Sequence, residues 1–446
     1  MQERKETTMG LKVAKFGGSS VADVIQLAKL KEIITKDEDI RYVVVSAPGK
    51  RFSQDSKLTD LLYATKVHIE NNLPYEQLFQ AVKDRFNALN LSLDTGLDLE
   101  PTYQKIISKM EEGCSQDYIA SRGEYLNANL VAAYLGYDFV EVKDLIKFDE
   151  KGELMEEETN EALKEELAKH ERAVLPGFYG STPDGKVKTF TRGGSDITGA
   201  LIAKAVGADM YENWTDVSGF LVADPRIVDD PVPIGHITYL ELRELSYMGA
   251  TVLHEDAIYP VRDAGIPINI RNTNKPDDPG TIISAEVSES HKERIVTGIA
   301  GTKDFTVIAV HKNRLKSDRG FLRKLAGILE NFDIVLEHMP SSVDGVSLII
   351  SREEIGGRID KLTEELQRQL NADSVEVLEN VALITTVGEG MVYRTGVSAK
   401  LFTSLAEAGV NIRIIDQGSN EYNIIIGVMN EDFEKAIRTI YNAFVE

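Results

Sequence analysis

A short apolar strand that runs directly into two adjacent glycines and then into a helix restricts this chain more than any other feature. Residues 11–16 (LKVAKF) read as a buried strand, Gly17-Gly18-Ser19-Ser20 ends it, and residues 21–34 carry apolar side chains at helical spacing. A β-branched run at 41–47 (RYVVVSA) supplies the next strand. Such a strand–loop–helix–strand unit closes as a right-handed parallel crossover. Further strands are expected at 138–142, 172–178, 208–215 and 267–272. Helices fall between them, at 196–206 and over much of 60–136, where 126–135 is the most apolar part. Strands alternating with helices mean a layered α/β domain, expected over residues 9–290, with residues 1–8 as a polar extension.

The rhythm changes after residue 290. Strands at 305–311, 333–339, 346–351 and 374–379, with helices at 320–331 and 354–370, make a βαββαβ unit, and a second pass follows from residue 381. The repeat is about 75 residues long and occurs twice. The second copy lacks its sixth element, and an unpaired sheet position leaves backbone groups unsatisfied. The spare apolar strand at 294–300 (RIVTGIA) is expected to fill that place, so the first unit (303–379) is inserted within a second made of 291–302 and 380–446.

At roughly 150 residues per domain, 446 residues suggest about three domains. The balance of 50 Lys+Arg against 72 Asp+Glu gives a net charge of −22, which disfavours nucleic acid and anionic membrane as partners. The lone Cys114 has no internal disulfide partner, so a reducing, cytoplasmic setting is expected. No apolar run approaches the roughly 20 residues a bilayer span needs, and MQERKETT has no apolar signal segment.

Two near-motifs fail on context. Gly180–Val187 approaches a phosphate-cradling G-x4-G-K-[ST] loop, but Val187 replaces the magnesium-holding hydroxyl and a strand-like KVKTF follows. Pro183-Asp184-Gly185 reads as a hairpin turn. His254-Glu255 has isoleucine at 258, so no helical pair of zinc ligands exists and no protein-held metal is expected.

Four clusters carry chemistry. In Lys15-Phe16-Gly17-Gly18-Ser19-Ser20 the glycines let the backbone approach a polyphosphate, the following helix offers its positive end, and Lys15 can bridge a transferred phosphoryl group. A plain Gly-Gly turn is the alternative. Thr191-Arg192-Gly193-Gly194-Ser195-Asp196 again precedes a helix; Ser195 and Asp196 would cap it, while Arg192 offers a fork for a carboxylate. Thr215-Asp216 and Asp224-Pro225-Arg226 look like a nucleotide rim, although Asp-Pro is also a common turn. Ser121-Arg122-Gly123-Glu124 opens an apolar helix; Glu124 is either an exposed first-turn acid or a hook for a substrate ammonium.

Together, KFGGSS, SRGE, GGSD, WTDVSG and DPR resemble, in order and spacing, the aspartate kinases of the amino-acid kinase family, and the tail, especially residues 396–424, resembles their paired ACT regulatory domains. The resemblance covers nearly the whole chain from Met9. It implies an amino-acid kinase fold, with a mostly parallel eight-stranded sheet between helices, plus two α+β ACT domains. It further implies γ-phosphoryl transfer from Mg-ATP to the side-chain carboxylate of L-aspartate, with Mg2+ carried by the nucleotide. Lys15 and Asp196 would be catalytic, Asp196 orienting Lys15 and the substrate. Lys15 with the Gly17 and Gly18 amides would hold the γ-phosphoryl group. Arg192 would take the α-carboxylate of aspartate and Glu124 its ammonium, with Ser46, Thr59 and Ser195 lining the substrate and Thr215, Asp216, Asp224 and Arg226 holding the nucleotide. No fused homoserine dehydrogenase is expected.

The chain departs from the family in having Thr251 where a phosphate-contacting lysine is usual, Leu221 for a common aromatic, and a longer loop between Ser46 and Thr59. ACT units commonly pair across a homodimer, and such dimers can pair further. Ser317, Asp318, Gly320, Glu337, Ser342 and Asp344 at the first unit's turn are the expected effector residues, and their carboxylates suit lysine. Two rivals stand beside this reading: an enzyme of the same fold acting on glutamate, acetylglutamate or a nucleoside monophosphate, and a catalytically weak amino-acid sensor.

Overall fold

The computed structural model describes residues 10–249, 258–286 and 294–445. They fall into two compact units: residues up to 220 with Pro233–Tyr239 and 258–286, and Leu221–Val232 with 240–249 and 294–445.

The first unit is built on β1 (Lys12–Phe16), β2 (Ile40–Val45), β3 (Asp138–Phe139), β4 (Ala173–Pro176), β5 (Tyr179–Ser181), β6 (Val187–Thr189), β7 (Met210–Thr215), β8 (His236–Thr238), β9 (Ile268–Asn272) and β10 (Thr281–Ser284). Eight of these form one sheet in the order β3-β4-β2-β1-β7-β9-β10-β8. Every pairing is parallel except β9 with β10. In β1 and β2 nearly every residue is buried, because helices cover both faces of a parallel sheet. The remaining pair, β5 and β6, is the hairpin read from Pro183-Asp184-Gly185, closed by the Thr182 amide on the Lys186 carbonyl.

The helices are α1 (Val24–Lys36), α2 (Leu58–Glu70), α3 (Glu76–Ser92), α4 (Glu100–Glu111), α5 (Gln116–Leu135), α6 (Glu156–Leu167) and α7 (Gly194–Val206). Asp23 starts α1 by accepting from the Gln26 amide, and Leu27, Leu30, Ile33 and Ile34 bury the apolar stripe that periodicity predicted. The strand expected at 138–142 shortens to two residues at the sheet edge.

The second unit is a five-stranded antiparallel sheet of β11 (Gly298–His311), β12 (Gly345–Ser351), β13 (Ser374–Val387), β14 (Ile414–Asp416) and β15 (Asn423–Met429), in the order β12-β11-β13-β15-β14. The two repeats share its two long strands. Phe305–His311 pairs with both β12 and the first half of β13, whereas Gly298–Thr302 pairs with Leu383–Val387.

Two sequence expectations need correction here. The helix expected at 354–370 is broken into Arg352–Ile355 and Ile359–Leu370, because Gly356 and Gly357 adopt φ of +53° and +78°. The strand expected at 333–339 survives only as isolated bridges, His338 with Ile349 and Ser341 with Val346; Pro340 between them has no N–H to give. The unit also draws in segments that sequence order places in the first domain. The Ile299 amide bonds the Val222 carbonyl at 2.7 Å, Arg438 bonds the Ile227 carbonyl at 2.7 Å, and Asn423 bonds Glu244 at 2.5 Å.

Candidate active site

Four strands end side by side. Phe16 is in register with Val45 and with Trp214, and Val45 with Pro176, so Gly17, Ser46 and Gly177 begin adjacent loops on one edge of the sheet, where β7 also ends at Thr215. The carboxyl edge of a parallel sheet is where α/β folds bind ligands. The loops are tied together: the Gly17 amide donates to the Trp214 carbonyl at 3.0 Å, the Ser46 amide to the Phe16 carbonyl at 3.2 Å, and Gly177 to Val45 at 3.0 Å. The Gly17 amide is therefore committed to the sheet rather than free for a phosphate, which corrects its expected role; the Gly18 amide keeps no backbone acceptor among the described residues.

Lys15 lies one residue before that edge and is only 7% exposed. Strand alternation turns it away from Ala14 and Phe16, and its ammonium meets the Asp196 carboxylate at 2.5 Å. Asp196 Oδ1 also accepts from Asn213 on neighbouring β7 at 2.8 Å. Asp196 and Ser195 were expected to cap α7, but the cap position is Gly193, in the left-handed region at φ +59°, and no side chain caps the helix. Both residues lie inside the first turn, which frees Asp196 to hold Lys15. Gly177 makes this approach possible, since a Cβ there would stand 2.7 Å from the Ser195 Cβ.

The SRGE segment does not open its helix. Ser115 caps α5, accepting from the Tyr118 amide at 3.1 Å, so Glu124 lies inside the helix rather than in an exposed first turn. Gly123 sits so close to the loop after β2 that a Cβ would stand 2.7 Å from the Ala47 Cβ. Glu124 is 7% exposed, and its Oε2 has no partner among the described residues. Burial pushes its carboxyl up to about 7, against the opposing pull of the Ala47 amide and Arg122. Close by on α5, Asn127 donates to the Ser46 carbonyl at 2.7 Å. Sequence reading passed over Asn127 and Asn213; the signal was a polar residue inside an apolar helix and inside an apolar strand.

Arg192 is exposed just before α7, with no ion pair among the described residues, so its fork is free for an incoming carboxylate. Thr59 is half-buried in the first turn of α2. Thr215 closes β7, and its hydroxyl donates to Asp216 at 3.2 Å. Asp224 and Arg226 belong to the second unit, where Arg226 clasps Asp224 through both carboxylate oxygens and holds its carboxyl below the ordinary value. Thr251 and His254 lie outside the described residues.

In the second unit the expected effector carboxylates are already engaged. Asp318 pairs with Lys312 at 2.6 Å and accepts from the Gly320 amide at 3.1 Å, which together hold its carboxyl below the ordinary value. Glu337 accepts from the Tyr247 hydroxyl, and Asp344 from the Arg314 amide at 3.1 Å. Ser317 ends a short 3-10 turn, Gly320 precedes the helix Phe321–Asn331, and the Ser342 hydroxyl donates to the Gly345 carbonyl. A cavity of about 550 Å³ opens at the corresponding turn of the second repeat, lined by Arg394, Ser398, Gln417, Ser419 and Glu421 among others. No described cluster of His, Cys, Asp and Glu could hold a metal ion, and no described helix is long and apolar enough to cross a membrane.

An open α/β sheet with a buried lysine–aspartate pair at its carboxyl edge is a site for an anionic small molecule. Residues 10–272 match the amino acid kinase family and residues 384–444 an ACT domain. Aspartokinase 3 of Bacillus subtilis is 36% identical over 97% of this chain and 98% of its own length. The crystal structure of Clostridium acetobutylicum aspartate kinase, an allosteric enzyme, is 51% identical with a TM-score of 0.90, covering 98% of this chain and 100% of that one. E. coli aspartokinase III, solved with aspartate and ADP and separately with lysine and aspartate, is 25% identical with TM-scores of 0.71 and 0.72, over the same shares. The chain belongs to the amino acid kinase family, among the aspartate kinases, and is an ATP-dependent kinase.

Proposed function

We propose that the chain transfers the γ-phosphoryl group of Mg-ATP to the β-carboxylate of L-aspartate, giving 4-phospho-L-aspartate and ADP, the first step towards lysine, threonine and methionine. The carrying observation is the buried Lys15–Asp196 pair at the loop edge. In the transfer a carboxylate oxygen of aspartate bonds to the γ-phosphorus as the bond to the ADP oxygen breaks. Such a step needs alignment and charge neutralisation more than covalent help. Lys15 neutralises the charge that spreads over the phosphoryl oxygens, Asp196 and Asn213 fix its direction, and the Gly18 amide supports the same group. Gly17 contributes close approach. Glu124 takes the substrate ammonium and Arg192 the α-carboxylate, with Ser46, Thr59 and Ser195 lining the rest. Thr215 and Asp216 meet the nucleotide, and Mg2+ enters with it.

Residues 303–379 are read as one ACT unit inserted in another made of 291–302 and 380–446, which the pairing of Gly298–Thr302 with Leu383–Val387 supports. Side-by-side ACT pairing would make a homodimer, checked by light scattering. Lysine is the proposed feedback effector; the lysine complex of the E. coli enzyme supports it. Its site is the first repeat's turn around Asp318 or, where the cavity lies, the second repeat's turn around Ser398.

The test is incubation with Mg-ATP, L-aspartate and hydroxylamine, with glutamate, acetylglutamate and a nucleoside monophosphate as competing acceptors. Aspartyl hydroxamate that requires ATP and falls with lysine is expected. ATP binding without hydroxamate would favour the sensor.

A further inference from the structure

The loop between β2 and α2, residues 46–57, joins Ser46 to Thr59, and it is held from beneath by a buried arginine. Arg85 on α3 is 6% exposed. Its neighbours Phe79, Val82, Phe86 and Leu89 supply the helix's apolar contact, so packing alone does not call for a guanidinium there. The guanidinium is spent on the loop. Nη2 donates to the Gly49 carbonyl, Nη1 donates to the Ser56 carbonyl at 3.3 Å and stands 3.4 Å from Asp55 Oδ2, while Nε has no acceptor among the described residues. Asp55 is itself buried, and Arg51 grips it through its amide at 3.0 Å and its guanidinium at 2.9 and 2.8 Å. A buried charged group with one unmet donor costs stability against an apolar replacement, so its return lies in what it positions.

What it positions is the phosphate loop. The Gly49 amide donates to the Gly18 carbonyl at 2.8 Å. The two backbones are so close that a Cβ on Gly49 would stand 2.7 Å from Gly18 C and 3.0 Å from the Ser19 nitrogen. A Cβ on Gly18 would stand 3.1 Å from the Ala47 carbonyl oxygen. Arg85 thus reaches Gly18 through one intervening residue, and it fixes both ends of a loop whose flanks carry Ser46 and Thr59.

We propose that Arg85, with Asp55, is a positioning residue for phosphoryl transfer: it clamps the 46–57 loop so that Gly49 braces Gly18 through its carbonyl and Ser46 and Thr59 are held at substrate distance. The inference rests on the aspartate kinase reading of those three residues. Neither Arg85 nor Asp55 touches the substrate.

The experiment compares the full-length protein with Arg85→Gln, Arg85→Lys, Asp55→Asn and Gly49→Ala by steady-state hydroxamate formation, alongside thermal melting. Arg85→Gln and Asp55→Asn should raise the KM for aspartate about tenfold and lower kcat by a similar factor, since small misplacements at a transfer site are costly. The KM for ATP should rise less than the KM for aspartate, because Gly18 is loosened while Thr215 and Asp216 are untouched. Arg85→Lys should recover part of the loss, and Gly49→Ala, whose methyl must push the Gly18 backbone aside, should lower the melting temperature but also raise the KM for aspartate and lower kcat per folded molecule. A residue that only stabilises the fold would lower the melting temperature and the active fraction but leave both KM values alone; that result overturns the clamp. Should Arg85→Gln not fold, Asp55→Asn and Gly49→Ala decide the matter by the same criterion. Wild-type protein that makes no aspartyl hydroxamate overturns the kinase reading itself, and the clamp with it, whereas active wild type with unaltered variants overturns the clamp alone.

Discussion

The ammonium of Lys15 and the carboxylate of Asp196 stand 2.5 Å apart, one at the end of the first strand and the other in the first turn of α7. Both are largely buried, so neither charge is well served by water, and each is compensated by the other and by Asn213. The pair holds the lysine extended toward the loop edge before any ligand arrives, which is what a preorganised electrostatic catalyst requires.

Removing Lys15 should therefore abolish turnover while leaving a folded protein. For Lys15→Met the expected loss in kcat is at least about 10³-fold, and for Asp196→Asn about 10²-fold. Asp196→Ala should also destabilise by about 3 kcal/mol, because it strands a buried ammonium. Hydroxamate assays and denaturant melts check both; a Lys15→Met enzyme with near-normal kcat sinks the assignment.

Glu124 gives a pH signature. Burial raises its carboxyl from 4.5 to about 7 in the free protein, whereas a bound ammonium favours the charged form. Aspartate binding near pH 6 should release close to one proton, and the KM for aspartate should climb as pH falls below about 7. Calorimetry in buffers of different ionisation enthalpy reads the proton directly, and Glu124→Gln should erase it.

The same group sets a stability trend of definite sign. Its folded-state value lies above the unfolded one, so its contribution is fully present below about 4.5 and is lost as pH rises to about 7. At pH 8 the ionised, buried Glu124 costs on the order of 3 kcal/mol. Glu124→Gln should consequently be more stable than wild type at pH 8 and no more stable at pH 4; equal melting curves at pH 8 would contradict the burial argument.

Gly177→Ala tests the closeness of the β4 loop to α7. The added methyl would stand 2.7 Å from the Ser195 Cβ and 2.8 Å from its Cα, so the helix start must move. A stability loss of about 1–3 kcal/mol and a fall in kcat of at least about tenfold are expected, read by melting and by hydroxamate rate. Unchanged kcat would show that the first turn of α7 tolerates displacement.

For regulation, Asp318→Ala should raise the lysine concentration needed for half inhibition about tenfold without changing uninhibited turnover. Breaking the Lys312 pair frees the turn that Asp318 now closes. If inhibition is unaltered, Ser398→Trp, which fills the second repeat's cavity, should abolish it instead.

Much of this was written locally. The apolar runs of β1 and β2, the double glycines and the helical stripe of α1 are short-range patterns, and strand-then-glycine-then-helix announces a loop edge whatever surrounds it. The breaks were also local in origin but easily overread. Gly356-Gly357 splits a helix that periodicity carries straight through, and Pro340 empties a strand that composition favours.

The sequence by itself determined most of the strands and helices of the first unit and which residue types stand at the loop edge, because side-chain periodicity and backbone permissiveness act within a few residues. Only the tertiary structure decided what those residues do to one another. In sequence Glu124 stood between an exposed first-turn acid and an ammonium hook until the packing of Gly123 on Ala47 buried it, and Asp196 stood between a helix cap and a partner of Lys15 until the fold brought the two charges together. Asn213, Asn127 and Arg85 drew no notice because their partners lie far along the chain. Burial and long-range pairing set a group's charge state and direction, and neither is encoded within the window that sequence periodicity can read.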